Sequence, residues 1–302
     1  MNLMNIQKII EYYNEALSRY INEVNPQFQK YLDDSGARYM STLNRLYEFY
    51  VFTSYLVEED IILPDNKDNP IMVLYSKAAL SLFGIYNCLK NGLATESATL
   101  LRSLFETLIN VELLLQKDTE ERLKLYTNFK YITQWNQLQE NKDLLNEGLI
   151  DEARFRANTA SANIPEVEKK YLELKDDYHP TKPYHWAWLL FRKKKKDRNP
   201  SLRMICKELG YFNEYIGIYG PMSISVHSNP LIEHLVTNEN SITMAPIFSN
   251  HIVSIGCMSL DYCAKVVISI LQFFDIEKIK DIKIFIDAFV LDTLLESGNI
   301  KP

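Results

Sequence analysis

Glycine is scarce in this chain, with 9 residues in 302. Tight turns and phosphate-binding loops rely on glycine, because its backbone adopts positive φ angles at no steric cost. The sequence contains no glycine-rich phosphate loop and no Gly-x-Ser-x-Gly turn. These absences argue against the P-loop nucleotide hydrolases and the α/β-hydrolases as function classes.

Cysteine and histidine give little support for a metal site. The 4 cysteines are scattered and form no Cys-x-x-Cys pair, so a zinc site of the usual spacing is not expected. The helical metal motifs Glu-x-x-His and His-Glu-x-x-His are also missing. We therefore predict no metal, no cofactor and reduced thiols in a cytoplasmic protein. The residues that remain as candidate ligands are His227, His234, His251, Glu233 and Asp261.

An excess of positive charge is missing too, because 33 basic side chains face 39 acidic ones and the net charge is -6. That balance argues against a protein that coats nucleic acid, although it allows a local basic patch. The longest apolar run, residues 252–274, is interrupted by Asp261 and Lys265, which are costly inside a bilayer. The N-terminus does not have the pattern of a signal peptide. We expect a cytoplasmic protein that does not enter the membrane.

Most of the sequence has the periodicity of α-helices. Apolar residues recur at three- and four-residue spacing, and no convincing alternating pattern of the strand type occurs. We predict an all-α fold, a multi-helix bundle built around a central apolar helix over residues 95–117. We expect a single domain over residues 1–302, composed of an N-terminal helix in 1–35, a core from 36–140 and 200–297, and a polar, peripheral helical insertion at about 142–198.

The central helix carries a polar stripe on an otherwise apolar surface. Arg102, Glu106 and Asn110 follow one another at four-residue spacing and therefore share one face. A helix that is apolar nearly all round is typically buried, and a buried charge must be paired or used. Two interpretations follow. The stripe is a structural ion pair, or it is a site where Glu106 orients the guanidinium of Arg102 towards a phosphate.

A second polar set follows Tyr219 along the chain. Ser223 and His227 are four residues apart and face the same way if this segment is helical. An imidazole titrates near neutral pH, which suits a general acid or base. The alternative for His227 is a capping or packing role at a helix end.

The aromatic segment YHWAWLLF, residues 184–191, is followed directly by a run of cations. Such a pairing could stack bases and hold phosphates. The alternative is an apolar loop anchor next to a solvated, charged surface. On the first interpretation, the substrate-binding residues are Trp186, Arg192, Lys193, Lys194 and Lys195.

Three segments together resemble a known helical family: LLRSLFETLINVELLL (100–115), YHWAW (184–188) and YIGIYGPMSISVHSNP (215–230). The chain is similar, over about residues 75–275, to DUF5677, a mostly bacterial family of unknown function. The resemblance implies a helical fold with polar positions at Arg102, Glu106, Trp186, Tyr219, Ser223 and His227.

This family is in turn similar in general build to HEPN-type helical proteins. Many of those are metal-independent ribonucleases of toxin–antitoxin and antiphage systems, with an Arg and a His four to six residues apart on one helix and a site usually completed by dimerisation. The present sequence departs from that pattern, because no Arg is followed by a His at that spacing. Arg102 and His227 would have to meet across two helices.

The sequence therefore leaves two functions open. The first is a HEPN-like, metal-independent ribonuclease or toxin-type effector, with antiphage defence as its setting and Arg102, Glu106, His227, Ser223 and Tyr219 as catalytic residues. The second is a non-catalytic helical module that binds a ligand or partner, with the same residues as a structural network. We expect RNA as a partner in the first case, and a homo-oligomer or a protein partner in either case.

Overall fold

The structure of the protein is a computed structural model that describes residues 3–19, 21–22, 25–59, 61–62, 69–180, 185–192, 199–220, 235–238, 241–244, 251–274 and 279–296. The helices in these ranges are α1 (Leu3–Arg19), α2 (Asn25–Gly36), α3 (Met40–Glu58), α4 (Pro70–Lys90), α5 (Ala94–Leu115), α6 (Thr119–Asn146), α7 (Glu152–Thr159), α8 (Ile164–Leu174), α9 (Trp188–Arg192), α10 (Leu202–Leu209), α11 (Phe212–Glu214), a π-helix (Tyr215–Tyr219), α12 (His251–Phe273) and α13 (Ile279–Glu296).

The all-α prediction is confirmed, and the central apolar helix expected at 95–117 is α5. Two details differ. The N-terminal segment forms two helices, α1 and α2, where the sequence predicted one within 1–35. A short antiparallel hairpin, β1 (Leu235–Asn238) and β2 (Ser241–Met244), was not predicted. Strands of four residues are too short to display a clear period of two.

Contacts divide the chain into two compact units. The first comprises Met1–Asp65, Tyr75–Leu108 and Ile218–Pro302, and the second comprises Asn66–Leu74 and Ile109–Gly217. The boundary falls inside α5, between Leu108 and Ile109. The single domain expected from the sequence remains a prediction.

The core of the first unit is formed around α5 and α12. Leu101, Leu104 and Leu108 of α5 are fully buried, and most of α12 is buried as well. Asp261 and Lys265, which interrupt the apolar run of α12, form an ion pair with a 2.6 Å distance between Oδ2 and Nζ. Both side chains are about one-third exposed, so the charges lie at the edge of the core and not inside it.

Two of the described helices, α4 and α12, are long and apolar enough to cross a membrane by length and composition. The apolar window of α12 is 61% buried inside the protein and that of α4 is 33% buried. Core helices meet the same criterion, so the expectation of a protein without a membrane segment stays a prediction.

Gly256 marks a close approach between α12 and α3. A Cβ added at this position would lie 2.6 Å from Cγ2 of Thr42, which is closer than van der Waals contact allows. We expect Gly256→Ala to lower the free energy of unfolding by about 1–3 kcal/mol, because overpacking a buried contact forces neighbouring atoms to shift. Urea denaturation measures this change. Gly217→Ala is the matched control, since a Cβ there would meet nothing within 4 Å. Equal effects of the two substitutions would contradict the argument.

The second unit is organised by the long helix α6. Helices α7 and α8 pack against it, and the hydroxyl of the buried Tyr178 donates a 2.7 Å hydrogen bond to the carbonyl of Leu125. Helix α7 has no buried residue and α8 has one, Val167. Helices α7 and α8 are therefore surface helices, whereas the peripheral insertion expected at about 142–198 stays a prediction.

Arg122, in the first turn of α6, is only 5% exposed, although the sequence pattern did not single it out. Its Nη1 donates to the carbonyl of Leu113 and, at 3.4 Å, to Oε1 of Gln116. Leu113 belongs to the last turn of α5, where helix carbonyls lack partners of their own. The guanidinium thus caps the C-terminal end of α5.

Candidate functional site

The polar stripe of α5 begins with an ion pair. Nε of Arg102 lies 3.3 Å from Oε1 of Glu106, as their four-residue spacing predicts. The side chains are 24% and 39% exposed respectively. This pair is therefore accessible to a ligand and is not sealed in the core.

Tyr219, at the end of the π-helix, joins the pair from 113 residues away in sequence. Its hydroxyl donates a 2.7 Å hydrogen bond to Oε1 of Glu106. Its ring lies against the guanidinium, with Cζ of Arg102 4.6 Å from the ring centroid. One aromatic side chain thus contacts both members of the pair. We call Arg102, Glu106 and Tyr219 the Arg102 cluster; all three belong to the first compact unit.

The charge states in the Arg102 cluster follow from these contacts. Burial alone would lower the pKa of Arg102, but Tyr219 and Glu106 outweigh it, and the pKa lies above its usual value. Burial, together with the hydrogen bond to Glu106, raises the pKa of Tyr219 well above its usual value. At neutral pH the cluster therefore holds a permanent cation and a protonated phenol, neither of which serves as a general base.

Asn110, the third member of the stripe, makes its contact within the second unit. Its Oδ1 accepts a 2.8 Å hydrogen bond from Nε1 of Trp186. The indole is only 3% exposed and packs edge-on against Tyr126, with ring centroids 5.5 Å apart. A buried ring cannot stack a base, so the substrate-binding role predicted for Trp186 is not carried further. The contacts favour the other interpretation of this segment, an apolar anchor.

His185, next to Trp186, is held in its neutral form. The backbone N–H of Ala187 donates a 3.1 Å hydrogen bond to Nδ1 of His185. Burial lowers the pKa of this imidazole to about 4. Because Nδ1 is an acceptor, the proton of the neutral ring is on Nε2.

The remaining predicted site residues separate into two groups. Arg192 is described, and its guanidinium carbon lies 5.5 Å from the ring centroid of Trp188. Lys193, Lys194, Lys195, Ser223 and His227 lie outside the described residues. The approach of Arg102 to His227 therefore stays a prediction.

The chemistry of the Arg102 cluster suits an anion. Among the described residues, Nε is the atom of the Arg102 guanidinium that hydrogen-bonds to Glu106, and the ring of Tyr219 lies against the same guanidinium. A guanidinium fork of this kind matches a phosphate or carboxylate. No group of three or more His, Cys, Asp and Glu side chains suited to a metal occurs in the described part of the chain.

Sequence reasoning missed one contact in this region. It placed Asn110 on the stripe without assigning it a partner, although a buried indole N–H needs an acceptor and could have suggested one. Sequence reasoning grouped Tyr219 with Arg102 and Glu106, either as a catalytic residue or in a structural network, and the structure shows its hydroxyl on Glu106 and its ring on Arg102.

Comparison with known proteins gives one family. Residues 68–242, more than half of the chain, match the model of the family of unknown function DUF5677. The match includes α5, the aromatic segment and the π-helix that carries Tyr219. No match was found among curated proteins or among solved structures. The chain belongs to the DUF5677 family, as the motifs in its sequence indicated.

Proposed function

We propose that this protein is a metal-independent ribonuclease in which Arg102 binds the scissile phosphate of RNA. The observation that carries the proposal is the geometry of the Arg102 cluster. Glu106 and the ring of Tyr219 orient the guanidinium, while about a quarter of the arginine side chain remains exposed. Orienting a cation in advance lowers the cost of stabilising charge that develops during a reaction.

The proposed reaction is an internal transesterification. The 2′-oxygen attacks the adjacent phosphorus and the bond to the 5′-oxygen breaks, which yields a 2′,3′-cyclic phosphate and a free 5′-hydroxyl. One proton leaves the 2′-hydroxyl and one joins the departing 5′-oxygen. Arg102 would stabilise the negative charge on the phosphoryl oxygens, and no metal is needed for these steps.

Arg102 and Tyr219 both remain protonated at neutral pH, and Oε1 of Glu106 already accepts a hydrogen bond from each of them. We therefore assign proton transfer to a group outside the Arg102 cluster. His227 is our proposal for the general acid or base, with Ser223 helping to position the RNA. We further propose a toxin-type effector as the setting, with antiphage defence as its role; this part rests on the resemblance to HEPN-type proteins expected from the sequence.

The test is cleavage of single-stranded RNA by purified protein in the presence of EDTA. We expect fragments that end in a 2′,3′-cyclic phosphate. Arg102→Ala should reduce the rate by about 100-fold or more, the cost of losing one charge-stabilising group, and His227→Ala should abolish cleavage. Arg156→Ala is the matched control. That arginine also pairs with a glutamate four residues away, Glu152, but is 80% exposed and is expected to leave the rate unchanged.

Intact RNA after incubation with wild-type protein at several concentrations would contradict the proposal, as would cleavage that survives Arg102→Ala. Cleavage that requires added magnesium would contradict the metal-independent mechanism.

The second candidate function is a non-catalytic module that binds a ligand or a protein partner. The observation in its favour is that Oε1 of Glu106 accepts hydrogen bonds from both Arg102 and Tyr219, as in a structural network. Stability separates the two candidates. A partly exposed pair contributes about 0–1 kcal/mol, whereas breaking a buried one costs roughly 3–5 kcal/mol. Given the exposure of the Arg102 cluster, we expect Arg102→Ala to leave the melting temperature almost unchanged; a strong drop would favour the structural network.

A further inference from the structure

The ring of Tyr219 needs support beyond its hydroxyl group. That hydroxyl donates a 2.7 Å hydrogen bond to Oε1 of Glu106. A single hydrogen bond at the tip of the side chain fixes the position of one oxygen atom and leaves the plane of the ring undetermined. The contact with Arg102 depends on that plane, because a cation is attracted to the face of an aromatic ring and not to its edge. Any group that fixes the ring of Tyr219 therefore also helps to hold the guanidinium.

Phe105 makes a second contact with this ring. The two ring centroids are 6.0 Å apart and the ring planes are inclined by 43°. Aromatic rings attract one another at centroid distances of about 4.5–7 Å. Phe105 directly precedes Glu106 on α5 and is only 1% exposed. Tyr219 therefore contacts the partly exposed charges of the Arg102 cluster and a side chain of the buried core at the same time.

Phe105 contacts in turn Tyr262, a residue of α12. Their ring centroids are 5.3 Å apart, and Tyr262 is buried as well. Because protein interiors are close-packed, a ring held between two other rings has little room to change its rotamer. Tyr219, Phe105 and Tyr262 thus form a continuous row of three rings that leads from Arg102 into the core. We call these three residues the aromatic row; all of them belong to the first compact unit.

The inner end of the aromatic row lies beside an ion pair of α12. Nζ of Lys265 is 5.9 Å from the ring centroid of Tyr262. The same ammonium pairs with Asp261 at 2.6 Å. Lys265 follows Tyr262 by three residues, and side chains at that spacing are neighbours on a helix. The two charges that interrupt the longest apolar run of the sequence therefore stand next to the last ring of the row.

We propose that Phe105 and Tyr262 are positioning residues for Arg102, because they set the ring of Tyr219 against the guanidinium. This inference rests on the proposed function, in which Arg102 binds the scissile phosphate. Phe105 and Tyr262 act through Tyr219 and need no contact with the RNA. A guanidinium held in one orientation stabilises developing charge without having to rotate first, so loosening the aromatic row slows the chemical step more than it weakens RNA binding.

The kinetics of RNA cleavage test this proposal. Phe105→Leu and Tyr262→Leu each remove one ring and keep an apolar side chain in the core. We expect each of them to lower kcat by about 10- to 100-fold, since a misplacement of about 1 Å can cost about 100-fold. KM should change by less than about threefold, as for the loss of an interaction made mainly in the transition state. Tyr262→Phe keeps the ring and should retain the wild-type kcat.

A nuclear magnetic resonance signal of Arg102 reports the same geometry without RNA. The Nε–H of this arginine is hydrogen-bonded to Glu106 and its guanidinium lies against the ring of Tyr219, whose ring current displaces the proton resonance. Arg102→Lys lacks this resonance and therefore assigns it. We expect Tyr219→Leu to shift it furthest, and Phe105→Leu and Tyr262→Leu to shift it in the same direction. Tyr262→Phe should leave it in place.

Phe49 of α3 supplies the matched control. It is fully buried in the same compact unit, and its ring also has two aromatic partners, Phe52 and Phe289. Phe49→Leu therefore removes a comparable ring from the core at a position outside the aromatic row. We expect this variant to lose stability in urea to a similar degree and to keep both the wild-type kcat and the Arg102 resonance. Circular dichroism at the assay temperature shows whether each variant is folded.

Two results for the resonance would overturn the proposal. Phe105→Leu and Tyr262→Leu could leave it unchanged, or Phe49→Leu could move it equally far. Unchanged kcat in both leucine variants of the aromatic row would also refute the positioning role, and would leave the proposed function standing. If the wild-type protein does not cleave RNA, the proposed function fails, and the resonance still decides whether Phe105 and Tyr262 orient the guanidinium.

Discussion

Replacing Arg122 with alanine is expected to lower the free energy of unfolding by about 3 kcal/mol, close to the cost of breaking a buried charge interaction. The side chain is 5% exposed and donates to the carbonyl of Leu113 at the end of α5. Burial lowers the pKa of Arg122, although Asp118 and Glu121 act in the opposite direction. The guanidinium remains protonated at any ordinary pH, so the helix end and these two carboxylates offset its buried charge.

Two effects make the Arg122→Ala substitution costly. The carbonyl of Leu113 loses a charge-assisted hydrogen bond in a buried position, and the truncated side chain leaves a cavity. Arg122→Lys should cost less, because an ammonium can still donate to the carbonyl. Urea denaturation gives the overall change, and hydrogen exchange should show faster opening of the last turn of α5.

Arg154→Ala, an exposed substitution in the same unit, is the control and should change stability by no more than about 0.5 kcal/mol. If Arg122→Ala proved as mild as this control, the capping role of Arg122 would be refuted.

Acidification is expected to destabilise the second unit through His185. Burial lowers the pKa of His185 to about 4 in the folded protein, against an ordinary value of 6.5. As the pH decreases, the unfolded chain therefore binds a proton at a higher pH than the folded protein does. The free energy of unfolding falls between pH 6.5 and pH 4 for this reason. The loss reaches about 3 kcal/mol at pH 4, since each pKa unit corresponds to 1.36 kcal/mol. Above pH 6.5 this group makes no pH-dependent contribution.

His185→Asn is the informative variant, because the amide oxygen of asparagine can take the place of Nδ1 and accept from the N–H of Ala187. We expect this variant to lose most of the slope of unfolding free energy between pH 4 and 6.5. His251→Asn, at the exposed beginning of α12, should retain it. If wild-type protein and His185→Asn had the same pH profile, another titrating group would be responsible.

Local patterns account for the elements that the sequence predicted well. The central helix expected at 95–117 is found at Ala94–Leu115. It ends at the last apolar residue of the periodic pattern. The pairing of Arg102 with Glu106 follows from 3.6 residues per turn and needs no knowledge of the rest of the chain. Short motifs also predicted the membership of DUF5677, because a motif depends only on the order of residues along the chain.

The contacts that the sequence did not indicate join residues over long sequence separations or between helices. Trp186 was either a base-stacking residue or part of an apolar anchor on the sequence alone, and the structure shows it buried with its indole on Asn110, 76 residues away. Arg122 was not singled out by the sequence pattern, and its burial accompanies a hydrogen bond to the carbonyl of Leu113 at the end of α5. Neither contact leaves a periodic trace in the residues next to it.

The amino-acid sequence by itself determined the helices, the polar stripe on α5 and the family, because these depend on spacing along one chain segment. Only the tertiary structure decided which polar groups meet. It brought Tyr219 against Arg102 and Glu106, joined Arg45 of α3 to Glu296 of α13, and placed Arg122 on the end of α5. The physical reason is that side-chain contacts between distant segments are selected by the packing of whole helices, which no local pattern encodes.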